Sequence, residues 1–275
     1  MTAAISRRWA FLQRVLSGAI LITASAYVLF LENPLYLCLE VMFFIGLGLF
    51  EFFMLLKKDN IPLSPFWGLL MGLAIPVVVY LEFGQTQSGE ILFLVLSCLF
   101  LFIIKFFRNP AQSLVGISLT LFGILYISWF LSFVIKIRFL EGGMWWVAYL
   151  IAVTKGTDIG AYAVGSLMGR HPLISHISPK KSVEGLIGGI LCGVLISLAM
   201  GPYLPVPFER LHLVVLGLLM GVLGQIGDLS ESLMKRSCNA KDSGGLFPGM
   251  GGIMDVADSI LFTAPIFYFH LKLYL

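Results

Sequence analysis

Residues 228–258 read DLSESLMKRSCNAKDSGGLFPGMGGIMDVAD, and strongly apolar sequence lies on both sides of this stretch. It contains four aspartates, three cationic residues and a glycine-rich turn. Ionisable groups at membrane depth cost about 2.5–3.5 kcal/mol each on the scale derived from insertion experiments. A cluster of carboxylates, cations and flexible backbone at the end of apolar spans therefore indicates a site for a metal ion and polyphosphate at a membrane surface.

The whole chain has the composition of a protein that crosses the bilayer several times. Of its 275 residues, 59% are hydrophobic and only 12% are charged. A spanning helix needs about 20 apolar residues. Runs of about this length occur at 10–31, 35–56, 65–83, 91–107, 112–137, 144–167, 185–203, 211–233 and 253–274. They predict an all-α, polytopic integral membrane protein with about nine transmembrane helices. Eight spans is the alternative, because the fifth run can tilt or end early and the ninth begins with acidic residues.

The placement of Lys and Arg predicts the orientation of the chain. With a cytoplasmic N-terminus, 13 of the 18 cationic residues lie in cytoplasmic segments, four lie outside, and Lys155 lies within a span. This bias follows the positive-inside rule. It places the loops at 170–184 and 236–252 on the cytoplasmic side of the inner cell membrane. We therefore predict N-terminal transmembrane helices over residues 1–140 and a catalytic region over residues 141–275, with its active site facing the cytoplasm.

The eighth apolar run ends in a polar helix face. Asp228, Ser232 and Lys235 are spaced i, i+4 and i+7, and Arg236 follows, so these residues fall close to one side of a helix. One interpretation is a solvated helix end held by salt bridges. The other is a polar face directed toward a cavity, where the cations bind phosphates.

The glycine-rich loop that follows contains Lys241 and Asp242 and ends in Gly251 and Gly252. Glycines let backbone N–H groups converge on an anion, and a helix N-terminus comes directly after them. The alternative is a flexible loop whose glycines only make turns. The cations before the loop and the acids after it favour anion binding.

The ninth run opens with Asp255 and Asp258, spaced i, i+3. Two carboxylates one turn apart can hold a hard divalent cation, since Mg²⁺ takes one or two carboxylates together with phosphate oxygens and waters. The alternative is that the aspartates favour the helix macrodipole. That alternative explains Asp255 better than Asp258, which lies deeper in the span.

Two further segments carry polar residues. Lys155 and Asp158 lie within the sixth run, where they are either a neutralising pair or part of a site. The loop after that run ends in SPKKSVEG, residues 178–185. Its paired lysines, Lys180 and Lys181, are either membrane anchors or ligands for the phosphate of a lipid headgroup or nucleotide.

Together these motifs resemble the phosphatidate cytidylyltransferase family, also called CDP-diacylglycerol synthases. Its C-terminal signature runs S-x-x-K-R-x4-K-D-x-[GSA], an apolar position, then [HP]-G-G-x-x-D-R-x-D. The matching residues are Ser232, Lys235, Arg236, Lys241, Asp242, Gly244, Gly251, Gly252, Asp255 and Asp258. Similar segments are Gly227-Asp228-Leu229, Asp158-Ile159-Gly160-Ala161-Tyr162 and residues 178–185. The detailed match covers about residues 155–260. It departs at Met250, where members usually have histidine, and at Val256, where they usually have arginine.

The resemblance implies that CTP and phosphatidate react to give CDP-diacylglycerol and pyrophosphate. It also implies a Mg²⁺ cofactor and is compatible with a potassium ion nearby. We expect CTP, phosphatidate and membrane lipid as partners and no nucleic acid, and the interpretation allows a homodimer. The catalytic residues it implies are Lys235, Arg236, Lys241 and Asp242. The metal residues are Asp255 and Asp258, supported by Asp228. The substrate-binding residues are Lys155, Asp158, Ser178, Lys180, Lys181, Ser232, Gly251 and Gly252.

Four other functions were weighed against this one. A transporter should show paired repeats and broken helices near the midplane, whereas these charges gather at one side. A CDP-alcohol phosphotransferase should show a D-G-x2-A-R signature, which the sequence lacks. A CTP-dependent polyprenol or lipid kinase would share CTP and lipid but transfer a different phosphoryl group. A catalytically inactive relative is the last alternative, suggested by Met250 and Val256.

Overall fold

The computed structural model describes residues 17–57, 61–82, 89–106, 112–240, 242–245 and 251–275. Within this part of the chain, each predicted apolar run corresponds to a helical segment. The segments are α1 (Ser17–Leu29), α2 (Leu35–Leu56), α3 (Pro65–Glu82), α4 (Gly89–Phe106), α5 and α6 (together Ser113–Arg138), α7 (Gly143–Met168), α8 (Val183–Met200), α9 (Arg210–Ser237) and α10 (Ile253–Tyr274). The prediction of a helical membrane protein is confirmed.

Six of the described helical segments are long and apolar enough to cross a membrane, namely α2, α4, α5 with α6, α8, α9 and α10. The helices α1 and α3 are apolar but shorter. The helix α7 has 26 residues, but the polar residues around Lys155 and Asp158 make it less apolar. The chain is therefore a multi-pass membrane protein, while nine spans and a cytoplasmic N-terminus stay predictions.

The fifth apolar run forms one continuous helix with a wider turn in its middle. The helix α5 (Ser113–Gly123) and the helix α6 (Phe130–Arg138) flank a π-helical turn at Ile124–Trp129. In this turn the Ser128 hydroxyl donates a hydrogen bond to the carbonyl oxygen of Gly72 on α3. A π-helical turn changes which side chains face a neighbouring helix, so the run stays helical while its contact with α3 is adjusted.

The loop at 170–184 contains a small antiparallel hairpin, which the all-α prediction missed. Strand β1 (Pro172–Ile174) pairs with strand β2 (Ser178–Ser182). Proline and lysine are unfavourable in strands, so the sequence SPKKS gave no strand signal. The hairpin is held from outside the strands, because the Glu184 carboxylate accepts bonds from the N–H groups of Arg170 at 3.1 Å and His171 at 3.3 Å.

The chain divides into two compact units. The first comprises residues 1–135 and 238–257, and the second comprises residues 136–237 and 258–275. The segment 238–257, which holds the glycine-rich loop and the first turn of α10, therefore belongs with the N-terminal helices. The predicted boundary at residue 140 separates N-terminal helices from a catalytic region. It concerns function and not packing, so it stays a prediction.

In the second unit, α7 packs on α8 and α9 packs on α10 through glycines. A Cβ atom added at Gly193 of α8 would lie 2.3 Å from the hydroxyl oxygen of Thr157 on α7. A Cβ atom added at Gly227 of α9 would lie 2.4 Å from the carbonyl oxygen of Asp258 on α10. Small residues at membrane helix contacts let the two backbones approach closely. Gly227 thus sets the backbone separation beside two predicted metal residues, Asp228 and Asp258.

The substitution Gly227→Ala tests this close approach. The added methyl group would meet a backbone oxygen that cannot rotate away, so α9 and α10 must separate locally. We expect a loss of about 1–3 kcal/mol in stability, measured as a lower midpoint of thermal unfolding in detergent. Gly245→Ala is the control, because a Cβ atom there has no atom within 4 Å. Equal midpoints for both variants would contradict the described packing.

Candidate active site

Helices α7 and α10 share a hydrogen-bonded group of three polar side chains. The Lys155 ammonium donates to Asp158 Oδ2 at 3.1 Å and to Ser259 Oγ at 2.8 Å. The Ser259 hydroxyl in turn donates to Asp158 Oδ2 at 2.9 Å. Ser259 is completely buried. Lys155 and Asp158 therefore form the ion pair that their spacing suggested, and Ser259 extends the pair to α10.

Two more lysines are paired with carboxylates on α9. Lys181, which β2 carries, lies 2.7 Å from Asp228 Oδ2. Lys235 lies 2.5 Å from Oε2 of Glu231, one helical turn away. Both lysine side chains are at least three-quarters buried, with exposed fractions of 24% for Lys181 and 11% for Lys235. The hairpin therefore brings a cationic side chain to the polar face of α9.

Asp258 lies among these pairs. Its Oδ1 accepts a bond from the N–H of Ser259 at 2.7 Å, and the residue is only 8% exposed. Its carboxylate interacts electrostatically with those of Asp228, Asp158 and Glu231 and with the Lys155 ammonium. We refer to seven residues as the charged cluster: Lys155, Asp158, Lys181, Asp228, Glu231, Lys235 and Asp258. With four carboxylates against three ammonium groups, the cluster favours an added cation.

The charged cluster fits a divalent cation that takes further ligands from phosphate and water. The buried Oδ1 of Asp158 accepts no hydrogen bond. Among the residues that the structure describes, no three His, Cys, Asp or Glu side chains are arranged to hold a metal ion by themselves. Mg²⁺ usually binds through one or two carboxylates together with substrate phosphates. Asp258, Asp228 and Asp158 are therefore the residues of the second unit that would hold it.

The glycine-rich loop in the first unit is organised by Asp255. Its Oδ2 accepts bonds from the N–H of Gly252 at 2.8 Å, the hydroxyl of Ser243 at 2.8 Å and the N–H of Ser243 at 3.4 Å. Asp255 is the third residue of α10, and Gly252 precedes the helix, so the bond between them is that of a capping box. This is the helix-terminal alternative weighed for Asp255 from the sequence. Metal binding by Asp255 stays a prediction.

A second carboxylate reaches the same loop from α2. Glu51 is 7% exposed and accepts bonds from the N–H groups of Ile253 at 3.0 Å and Met254 at 3.1 Å. The first N–H groups of α10 are thus bonded to carboxylates of the protein itself. Gly251 has a φ of 97°, a left-handed conformation that favours glycine. Phosphate binding by Gly251 and Gly252 stays a prediction, and it would require donors other than these N–H groups.

The remaining predicted site residues lie nearer to solvent or outside the described residues. Arg236 is exposed and donates from Nε to the carbonyl oxygen of Ile177, in the hairpin turn, at 3.3 Å. Lys180 and Asp242 are exposed, and Ser178, Ser232 and Val256 are partly exposed. Lys241 and Met250 lie outside the part of the chain that the structure describes.

The sequence alone did not reveal the parts played by Ser259 and Glu51. Ser259 gave no signal, because a single serine in an apolar helix has many structural roles. Glu51 did give one, since an acid within an apolar run suggests a functional position. Its partner Ile253 is 202 residues away in the sequence, so no spacing rule could identify it.

A helical membrane protein with buried lysine–carboxylate pairs is suited to binding phosphorylated molecules beside lipid. The cytidylyltransferase family matches residues 12–274, and this chain belongs to that family. The expected family resemblance is therefore confirmed.

Three relatives illustrate the similarity. A phosphatidate cytidylyltransferase of Synechocystis is 31% identical over an alignment 290 residues long, which covers 96% of this chain and 97% of the relative. A phosphatidate cytidylyltransferase of Bacillus subtilis is 40% identical over 151 residues, or 54% of this chain and 56% of the relative. The uncharacterized protein YnbB of Escherichia coli is 38% identical over 157 residues, or 57% of this chain and 52% of that protein. The last two matches span about half of each relative, whereas the first spans nearly all of it.

The substitution Ser259→Ala should weaken the group formed with Lys155 and Asp158. It removes a hydroxyl that bonds two charged groups, and such bonds contribute about 1.5–3 kcal/mol each. We expect a free energy of unfolding lower by about that amount, measured by chemical denaturation in detergent. Ser166→Ala is the control, because its exposed hydroxyl donates only to the Ala163 carbonyl oxygen in the same helix. Equal effects of the two substitutions would show that Ser259 contributes no more than an exposed serine.

Proposed function

We propose that this protein transfers a cytidylyl group from CTP to phosphatidate and releases CDP-diacylglycerol and pyrophosphate, a step of phospholipid biosynthesis. The observation that carries the proposal is the charged cluster, which is buried among helices of a multi-pass membrane protein. Membership of the cytidylyltransferase family supports it, as do relatives named phosphatidate cytidylyltransferase. CTP supplies the nucleotide, and the membrane supplies the lipid.

The chemistry requires charge neutralisation more than proton transfer. A phosphate oxygen of phosphatidate attacks the α-phosphorus of CTP, a new P–O bond forms, and the bond to the departing pyrophosphate breaks. The attacking oxygen is already anionic near neutral pH, so no strong general base is needed. The protein must bring two anions together and align attack with departure. The charged cluster, which contains lysines and carboxylates but no histidine, is suited to that task.

The ion pairs of the charged cluster allow substrate to bind without leaving a buried charge unpaired. Before binding, Lys155, Lys181 and Lys235 are each bonded to a carboxylate. On binding, Lys155 and Lys181 turn to phosphate oxygens, while Asp158, Asp228 and Asp258 would hold the metal ion. Lys235 keeps its bond to Glu231 and directs another ammonium hydrogen to phosphate. Each group whose ion pair opens thus gains a new partner, which avoids the large cost of an isolated buried ion. When bound, Mg²⁺ neutralises phosphate charge and polarises the phosphoryl oxygen.

The other predicted cationic residues bind the outer parts of the substrates in this proposal. Arg236 and Lys241 hold the pyrophosphate as it departs, and Lys180 contacts the phosphate of phosphatidate. Asp255 holds the loop through its Oδ2, which accepts three bonds, and metal binding by Asp255 would use its other carboxylate oxygen. The active site faces the cytoplasm, where CTP is available, in an inner membrane that the chain crosses nine times.

Product analysis tests the reaction. The protein purified in detergent and incubated with CTP, phosphatidate and Mg²⁺ should form CDP-diacylglycerol and pyrophosphate in equal amounts. Asp258→Asn should lower turnover by about 100-fold or more, because a ligand for the metal ion is lost. It should remain folded, since the change removes a charge that is costly at membrane depth. Glu209→Gln, at an exposed position before α9, is the control.

Other products would identify the alternatives. A phosphorylated lipid alcohol without CDP-lipid would indicate a CTP-dependent kinase. A native chain without turnover that gains it after Met250→His together with Val256→Arg would be an inactive relative. Near-normal turnover of Asp258→Asn would show that the metal ion is held elsewhere.

Thiol labelling tests the orientation. In a variant without the four native cysteines, Gly245→Cys should react with a membrane-impermeant reagent only after the cells are permeabilised. Its position is exposed in the structure, so access to the side chain is not limited by packing. Glu141→Cys, which is exposed in a loop predicted to lie outside, should react in intact cells. The opposite pattern would reverse the orientation.

A further inference from the structure

We infer that Glu51 is a positioning residue for the glycine-rich loop and that it determines how tightly the enzyme binds CTP. This inference rests on the proposed function, because it assumes that the loop takes part in nucleotide binding. It concerns a residue on α2, far in sequence from the motifs that carry the chemistry.

The contacts of Glu51 join both ends of the loop. Its Oε2 accepts a bond from the Ser243 hydroxyl at 3.3 Å, on the N-terminal side of the loop, and from the N–H of Met254 at 3.1 Å, on the C-terminal side. Its Oε1 accepts a bond from the N–H of Ile253 at 3.0 Å. Ser243 also donates to Asp255. One side chain on a packed helix therefore fixes the distance between the two ends of the loop.

Two glycines of the loop make room for this carboxylate. A Cβ atom at Gly244 would lie 2.4 Å from Glu51 Oε1, and one at Gly252 would lie 2.3 Å from Glu51 Oε2. Both distances are shorter than a non-bonded contact allows, so either side chain would displace the carboxylate or the loop. The structure thus gives these glycines a packing role in addition to the flexibility that their sequence pattern suggests.

The Glu51 carboxylate is buried, and the hydrogen-bond donors described for it are backbone N–H groups and one hydroxyl. Its charge is therefore stabilised by the start of α10. The substitution Glu51→Gln would keep the volume of the side chain. Its amide NH₂ group would, however, face N–H and hydroxyl groups that are themselves donors, so hydrogen bonds would be lost. We expect the loop ends to separate in such a variant while the helices remain packed, since α2 also packs through Leu49, Phe52 and Phe53.

The test compares Glu51→Gln with Glu40→Gln. Glu40 is on the same helix, but among the described residues its hydrogen bond is to the Ser25 hydroxyl of α1, at 2.5 Å. For Glu51→Gln we expect the KM for CTP to rise by about 10–100-fold, since bonds to a charged acceptor are lost, with kcat changed by less than about threefold. Amide hydrogen exchange of residues 251–257, measured without CTP, should become faster. Glu40→Gln should change neither quantity.

Three outcomes decide the inference. A lower unfolding midpoint for Glu51→Gln, with the KM for CTP and hydrogen exchange of the loop unchanged, would reduce Glu51 to a structural role and overturn it. If Glu51→Gln does not fold, Ser243→Ala is used instead; it removes the hydroxyl that bonds Glu51 and Asp255 but leaves the two N–H bonds of Glu51 in place. This milder variant should also raise the KM for CTP and make amide hydrogen exchange of residues 251–257 faster. An unchanged KM would overturn the inference. The last outcome separates the inference from the proposed reaction. If the native protein makes no CDP-diacylglycerol but binds CTP more tightly than the Glu51→Gln variant does, the proposed reaction is wrong and the role of Glu51 in CTP binding is supported.

Discussion

The pairing of lysine and carboxylate side chains away from water is the constraint on which the second unit depends. An unpaired ion at membrane depth is costly, so each buried lysine of the charged cluster requires a carboxylate nearby. Lys155 meets this requirement through Asp158 and Ser259, and Lys181 meets it through Asp228. These bonds connect the hairpin and three helices. The groups that the proposed reaction would use are therefore also groups that hold this unit together.

The first unit satisfies its buried acids differently. Glu51 and Asp255 accept bonds from backbone N–H groups at the start of α10 and from one serine. Such bonds fix direction as well as distance, because a backbone N–H cannot turn away independently of the chain. Ion pairs suit groups that must exchange partners when substrate binds. Backbone bonds suit a loop whose shape must persist.

Local patterns in the sequence were sufficient to predict the helices and the ion pair of Lys155 with Asp158. The apolar runs coincide with the described helices, and Lys155–Asp158 and Glu231–Lys235 lie one turn apart on their helices. Contacts between distant segments were not predictable in this way. Lys181 and Asp228 are 47 residues apart, and their pairing depends on a hairpin whose sequence is unfavourable for strands. The sequence of the loop at 242–252 revealed its glycines and acids. It did not reveal that Glu51 accepts bonds from the N–H groups at the start of the helix that follows.

The long separation between Glu51 and its partners has a consequence for biosynthesis. When Glu51 is added to the growing chain, Ile253 is still 202 residues from being made. At roughly 5–20 residues per second, the interval is about 10–40 seconds. During that time the N–H donors of Ile253 and Met254 do not yet exist, so the Glu51 carboxylate must take its hydrogen bonds from water. The first unit therefore reaches its final set of hydrogen bonds only after Ile253 and Met254 have been translated.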